Sequence, residues 1–402
     1  MTPTKTSLIA DRILNMSESA TLKMSQLARE LGAKGHDVIS LSLGEPDFDT
    51  PDYIKEAAKQ ALNDGFTKYT PVPGLPVLRE AISKKLKEEN DLDYSPKQIV
   101  VSNGAKQSIY NLSMTLLNEG DEAIVLAPYW VSYYEIIKLG GGVPVIVSAG
   151  IEQDFKVTAE QLKAAITPRT KFVLFSSPCN PTGSVYQREE LEALANVIAA
   201  HKDIFIIADE IYEYINFSNK HVSIGSLPAA KDRTITVNGF SKGFAMTGWR
   251  LGYIGAPQEI ASACTKIQGQ VTSGATAFGQ VAAAAALNGD RTSTTAMRDA
   301  YLKRRDLVKG LLDKIPGVKT NNPEGAFYIF PDISDYFGKS DGKMTINNSD
   351  DFCEYLLNNA YVAVVSGSAF GADNCFRISY AASEEQLIEA IRRMGEALAK
   401  LV

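Results

Sequence analysis

The chain has 402 residues, with 41 basic against 47 acidic side chains for a formal charge of −6, and is 45% hydrophobic and 9% aromatic. That apolar fraction excludes intrinsic disorder, and the mild acidity argues against a nucleic-acid or anionic-membrane face. At roughly 100–200 residues per domain, the length predicts two or three domains with large cores.

No apolar run approaches the roughly 20 residues of a membrane helix. Met1–Ala10 lacks a sustained apolar stretch, so no secretory signal is expected there. From the N-terminal side onward, short apolar runs recur, each leading into a turn: Ile99–Ser102, Ala123–Leu126, Val143–Val147, Lys171–Phe175, Ile204–Ala208, Thr234–Val237 and Gly252–Ile254. Helix-period stretches such as Gln107–Leu117 and Glu189–Ala200 lie between them. Runs apolar on both faces, alternating with helices, predict a mostly parallel sheet in an α/β layer structure. The amphipathic stretch Thr295–Ile315 predicts a long helix that could connect two domains. Beyond it, Gly325–Phe330, Val362–Val365 and Phe376–Tyr380 read as strands and Glu384–Leu401 as a terminal helix, together an α+β unit.

The four cysteines, Cys179, Cys264, Cys353 and Cys375, form no C-x-x-C pair, and His36, His201 and His221 lie in unrelated contexts. Paired ligands at short spacing are missing, so no zinc site is expected. Free thiols fit a reducing, cytosolic compartment.

Four segments carry chemistry. Ser102–Gln107 (SNGAKQ) places a glycine turn at a helix start, where backbone N–H groups can gather around a phosphate. It is neither a P-loop nor a dinucleotide fingerprint, and a plain helix-starting turn also explains it. Ser176–Gly183 (SSPCNPTG) follows a strand and presents the Asn180 amide above the sheet, unless it is a turn and nothing more. Phe205–Tyr214 (FIIADEIYEY) ends an apolar strand on Asp209, a carboxylate that on burial needs a cation such as a protonated pyridine nitrogen. Tyr212 could donate to a phenolate oxygen; alternatively Asp209 caps a helix starting at Glu210.

The fourth segment, Gly239–Gly252 (GFSKGFAMTGWRLG), puts Lys242 on a loop at the carboxyl end of a strand, where α/β sheets place ligands. A lysine attacks an aldehyde only as the free amine, which desolvation and nearby cations favour. Ser241 and Arg250 beside it suit a phosphate. A solvated loop with incidental charges remains the alternative.

Together these segments resemble the fold-type I, class I aminotransferases that use pyridoxal 5′-phosphate (PLP), and within them the bacterial aspartate aminotransferases. The likeness runs from about Ile13 to the C-terminal helix. It rests most on Lys242, Gly248, Arg250 and Gly252 in register, with LSLGEPDFDTP at Leu41–Pro51, KYTPVPG at Lys68–Gly74, APYWVSY at Ala127–Tyr133 and FRISYA at Phe376–Ala381. It implies a large domain over residues 50–295 and a small domain made of 1–49 with 296–402.

The resemblance also implies roles. Lys242 would hold PLP covalently and then serve as general base and acid. Asp209 would keep the pyridine nitrogen protonated, Asn180 and Tyr212 would bond the ring's 3-oxygen, and Trp130 would stack on the ring. The phosphate would be held in the Gly104 turn by the amides of Ala105 and Lys106, by Ser241 and Arg250, and by Tyr69 of a second subunit in a homodimer. Arg377 would clamp the substrate α-carboxylate with the Gly44 backbone, Asn180 and Trp130 nearby. The implied reaction moves the amino group of L-aspartate to 2-oxoglutarate in the cytoplasm, without a metal. Aromatic or alanine transamination, or a PLP-dependent β-lyase or decarboxylase, are the alternatives; the missing glycine fingerprint argues against a nicotinamide oxidoreductase.

This chain departs from the pattern in places. Gly239 stands where the family often has a hydroxyl, and Gly104 and Lys106 replace hydroxyl residues of many relatives, so the phosphate shell leans on backbone amides. Lys106 is thereby available to a substrate's distal carboxylate. Relatives that use prephenate carry a lysine where this chain has Ser17, which counts against prephenate. Cis peptides are expected at Ala127-Pro128 and Asn180-Pro181, turning the chain back over the ring.

Overall fold

The computed structural model describes residues 8–218 and 220–402. The first seven residues, Met1–Ser7, lie outside this range, and with them most of the segment Met1–Ala10 and the start of the expected small domain. In chain order the strands are β1 (Ile39–Ser40), β2 (Ile99–Ser102), β3 (Glu122–Ala127), β4 (Val143–Ser148), β5 (Thr170–Ser176), β6 (Phe205–Asp209), β7 (Thr234–Gly239) and β8 (Gly252–Gly255). Four short strands follow: β9 (Tyr328–Ile329), β10 (Val362–Ala363), β11 (Val365–Ser366) and β12 (Phe376–Ser379).

β2 to β8 form a seven-stranded sheet in the order β2-β8-β7-β6-β5-β3-β4, in which β8 alone runs against the others. Its central strands are buried on both faces, as the continuous Val/Ile/Phe runs require. Helices pack on either side: Ile109, Leu112 and Ile137 meet Val125 and Leu174 on one face, while Leu191, Leu194 and Ile198 meet Val173 and Ile206 on the other. The expected α/β sheet is therefore present, with strand bounds within about two residues of those read from the sequence.

A second core gathers Tyr301, Val308 and Leu312 with Tyr328, Phe352, Phe376 and Leu387. It carries the two small sheets, β1-β10 and β11-β12-β9. The long helix runs from Thr292 to Leu312, three residues earlier than its apolar period predicts. The Asp290 carboxylate accepts the Thr292 N–H at 2.9 Å and fixes that start. Val362–Val365 is split rather than continuous: Val362 and Ala363 pair with β1, while Val365 and Ser366 pair with β12. The Gly325–Phe330 run contributes only Tyr328 and Ile329 to a ladder, because Gly325 bridges to Asn216 instead.

The segment after Asp209 forms turns, not a helix, so the helix-cap alternative does not hold; Asp209 Oδ1 accepts the Ile211 N–H at 3.2 Å within that turn. The cis bond at Ala127-Pro128 is present, but the second lies at Ser177-Pro178 and not at Asn180-Pro181. Bends at Ser177 and Pro178 follow β5 directly, and Asn180 opens the turn that Cys179 closes with Gly183 and Ser184. No helix among the described residues is long and apolar enough to cross a membrane. All four cysteines are buried and free.

Candidate active site

Parallel strands deliver their carboxyl ends to one edge of the sheet, and that edge places the four chemical segments side by side. Ser176 is level with Asp209 on β6, and Gly252 is level with both Gly239 and Ser102. A cavity of about 380 Å³ opens there. It is lined by Gly44, Ala105, Lys106, Trp130, Asn180, Asp209, Tyr212, Ser241, Lys242, Arg250 and Arg377, residues that span most of the sequence. Gly104 stands just behind Arg250. Tyr69 is the exception: it is 99% exposed, away from its own chain's cavity.

The Lys242 Nζ donates to the Gly44 carbonyl at 2.5 Å. Burial pulls its pKa down to about 8, with the Arg377 and Arg250 charges pulling the same way and the Glu45 and Asp209 carboxylates opposing them. The amine is thus far closer to its free form than an exposed lysine. Glu45 accepts from the Thr247 hydroxyl, and Thr50 donates to the Ala245 carbonyl at 2.6 Å. These contacts tie the N-terminal segment to the loop that follows Lys242.

Asp209 is 4% exposed. Burial raises its pKa to about 6, against the hydrogen bonds from the Tyr133 hydroxyl at 2.6 Å and the Ile211 amide. No lysine, arginine or histidine pairs with it among the described residues. A buried carboxylate left with a phenol and an amide is a site waiting for a cation.

Arg377 is 2% exposed, and burial lowers its pKa. Its Nη1 donates to Asn180 Oδ1 at 3.0 Å and its Nη2 to the Ser42 carbonyl at 2.5 Å, while Nε has no partner. The guanidinium lies over the Tyr328 and Phe370 rings. It has no carboxylate partner among the described residues, the mirror image of Asp209. Lys106 is a second unpaired cation, with Nζ 4.9 Å above the Trp130 ring. Burial and the Arg250 charge lower its pKa.

On the other side of the cavity, the helix Ala105–Leu116 begins after Gly104, whose φ of +85° suits glycine. The Ala105 and Lys106 amides, in the first turn and so without an intrahelical acceptor, have no other acceptor among the described residues. Gly252 lets this turn approach: a Cβ there would collide with the Ala105 amide. Arg250 sits in the left-handed region at φ 55°, a conformation costing about 1–3 kcal/mol in a non-glycine residue. The Ser241 hydroxyl lines the same wall without a hydrogen-bond partner among the described residues.

This donor set fits PLP on its own chemistry. Two free helix amides, a hydroxyl and a guanidinium match a phosphate. A cation-seeking buried carboxylate matches a protonated ring nitrogen, and a lysine shifted toward its free amine matches an aldehyde.

Several site groups were not singled out from the sequence. Tyr133 is one, although it ends the APYWVSY motif three residues after Trp130. Tyr328 is another; its hydroxyl lies 2.7 Å from that of Tyr212, and nothing in its local sequence marks it. His221, read as isolated, lies beside Glu210 and Glu213 in the interior.

A family model described as aminotransferase class I and II matches residues 36–394. The chain is 48% identical to the aspartate/prephenate aminotransferase of Cereibacter sphaeroides over 96% of its own length and 97% of that protein's. The crystal structure of the aspartate aminotransferase from Rhizobium meliloti superposes with a TM-score of 0.95 at 42% identity, over 98% of this chain and 100% of that one. The aspartate aminotransferase of Thermus thermophilus with maleate gives a TM-score of 0.91 at 42% identity, over 97% and 99% of the two chains.

Proposed function

The chain belongs to the class I and II aminotransferases and is a PLP-dependent aminotransferase; from that premise we propose that it moves the amino group of L-aspartate to 2-oxoglutarate, giving oxaloacetate and L-glutamate. The observation that carries this choice is the pair of cations without carboxylate partners, Arg377 and Lys106, lining the cavity that holds Lys242. Two such cations suit a substrate with two carboxylates. A similar protein, that of Thermus thermophilus, was solved with maleate, a four-carbon dicarboxylate.

PLP when bound supplies an aldehyde that condenses with amines and a ring that accepts electrons from the substrate carbon. The residues around it have separate tasks. The Ala105 and Lys106 amides beyond Gly104, with Ser241 and Arg250, hold the phosphate. Asp209 would keep a proton on the ring nitrogen, Asn180 and Tyr212 would serve the ring 3-oxygen, and Trp130 would stack on the ring. Arg377, oriented by Asn180 and close to the Gly44 backbone, grips the α-carboxylate through its rigid fork. Lys106 meets the distal carboxylate beside Trp130. Lys242 holds the cofactor in the resting enzyme; its Nζ, freed as an amine, removes the proton from the substrate Cα and later returns one.

Tyr69 completes the phosphate site from a second copy of the chain, which makes the active enzyme a homodimer. Residues 50–295 form the large domain, and 1–49 with 296–402 the small one, with Gly44 and Arg377 on the small-domain side of the substrate. A cytoplasmic location accords with four free buried thiols. Prephenate, named for several of the similar relatives, stays outside this proposal because position 17 is an exposed serine that is not part of the cavity lining. Leu22 and Leu43, both exposed on the cavity lining, favour aromatic donors as the second reading.

The test is a panel of amino donors with 2-oxoglutarate, ranked by kcat/KM, with prephenate as an alternative acceptor. Aspartate should lead. A higher kcat/KM for phenylalanine, tyrosine or alanine would overturn the assignment.

A further inference from the structure

Just past Asp209, in the segment that follows β6, lies a buried cluster of charge. Glu210 is 2% exposed and Glu213 is 8% exposed. Glu213 is ion-paired to Lys85 and accepts from the Asn90 amide at 2.7 Å and the Asn238 amide at 2.8 Å. Glu210 accepts from the Ser223 hydroxyl at 2.7 Å, and its Oε2 lies 3.2 Å from His221 Nε2. Asn90 also reaches the Ser223 hydroxyl at 3.0 Å. The cluster ties the turn after β6 to β7, because the Asn238 amide of β7 donates to Glu213 while its side-chain Oδ1 accepts the Gly239 N–H at 2.7 Å. Those two strand ends carry Asp209 and the approach to Lys242.

The charges do not balance without the histidine. Glu210 and Glu213 bring two negative charges, and Lys85 brings one positive charge. An uncompensated buried charge is expensive, and here its neighbour in sequence is Asp209, already raised by burial and pushed further by Glu210. His221 is the remaining basic group in the cluster, with a side chain 10% exposed. Neither ring nitrogen has a hydrogen-bond partner among the described residues, so Nε2 meets Glu210 at ion-pair distance only. Burial and Lys85 disfavour its charged form, but Glu210 and Glu213 outweigh them and raise its pKa. The other charged or titratable groups around the neighbouring cavity are Tyr214, Lys220, Arg291 and Arg298. Arg291 is engaged by Glu89, and Tyr214 donates to the same carboxylate.

We propose that His221 is a positioning residue for Asp209: as an imidazolium it supplies the second positive charge of this cluster, shields Asp209 from the Glu210 carboxylate, and so holds Asp209 ionised for its cofactor partner. The proposal rests on the role given to Asp209 above. It extends the active site to a residue that touches neither cofactor nor substrate.

Two measurements test it. With three histidines per chain, imidazole carbon shifts in the ¹³C-histidine apoprotein can be assigned by loss of one signal in His221→Gln. His221 should be an imidazolium at pH 7.5; a neutral ring there overturns the proposal, whether or not the variant folds. Second, the PLP dissociation constant of the apoprotein is followed from pH 5 to 8 in wild type, His221→Gln and Asp209→Asn. The break that Asp209→Asn removes belongs to the aspartate, since the titration of the phosphate is common to all three. In His221→Gln that break should move up by about one pH unit. An unmoved break with a lower melting temperature would mean that His221 only fills space, and would overturn the proposal. If Asp209→Asn leaves the wild-type pH dependence intact, the role of Asp209 itself is wrong and the proposal falls with it.

Discussion

The Tyr133 hydroxyl donates to Asp209 Oδ2 at 2.6 Å, joining two buried side chains that lie 76 residues apart in sequence. Among the described residues it is the one side chain that hydrogen-bonds Asp209, and it opposes the burial that raises the carboxyl pKa to about 6. A hydrogen bond to an ionised group contributes about 1.5–3 kcal/mol. Tyr133→Phe should therefore raise the Asp209 pKa further and weaken PLP binding at pH 7 by about tenfold, with little loss at pH 8.5. Titration of the apoprotein by fluorescence checks this; equal affinities at pH 7 would show that the bond does not tune Asp209.

Asp209 also makes a prediction about stability. Its folded pKa of about 6 lies above the ordinary carboxyl value of 3.8. A raised carboxyl pKa gives stability that is fully present below pH 3.8 and lost as the pH rises through 6. The shift corresponds to a loss on the order of 3 kcal/mol by pH 7. Asp209→Asn apoprotein should therefore melt higher than wild type at pH 7.5, the gap closing toward pH 4. Denaturant melts of the two apoproteins across that range test it, and a gap independent of pH would refute the assignment.

Lys242→Ala should still bind PLP through the phosphate and ring contacts but lose nearly all turnover. Removing a positioned base typically lowers rates about 10²–10⁴-fold, and loss of the covalent link adds to that. Retained near-wild-type transamination, measured with aspartate and 2-oxoglutarate, would contradict the role of Lys242.

Gly252→Ala should loosen the phosphate wall. The added methyl would strike the Ala105 amide and approach the Gly104 carbonyl carbon at 2.5 Å, so the helix start must move. Overpacking of this kind costs about 1–3 kcal/mol. The expected result is a lower melting temperature with a larger loss of affinity for PLP than for pyridoxal, which lacks the phosphate. Equal losses for both would place the damage elsewhere.

Tyr69, 99% exposed on its own chain, supplies the test of assembly. Tyr69→Phe should weaken PLP binding about tenfold to a hundredfold, as expected for one lost hydrogen bond to a charged group, without changing the melting temperature of the apoprotein. Mixed dimers of the Tyr69→Phe and Lys242→Ala chains should carry one site with both defects and one with neither. A fully active monomer by light scattering would rule out the shared site.

Much of the fold follows from local signals in the sequence. A continuous apolar run such as Ala123–Leu126 is buried on both faces, as a covered parallel sheet requires. Glycine turns and polar residues at the ends of such runs mark Gly104, Asn180, Asp209 and Lys242, because strands bound for one sheet must end at one edge. Arg377 was legible only through family resemblance, since a lone arginine in a strand carries no mark of its own.

Tertiary structure decided the rest, because it depends on which distant segments meet. The Tyr133 bond to Asp209, the Tyr212–Tyr328 hydroxyl pair and the Glu45–Thr247 contact span 76, 116 and 202 residues, beyond any local pattern. The splitting of Val362–Val365 between two sheets and the turn at Ser177-Pro178 were likewise set by neighbours in space. So was the grouping of Lys85, Glu210, Glu213 and His221. Each has an ordinary sequence context, and only a packed interior, where an unbalanced charge has no water to turn to, makes them one unit.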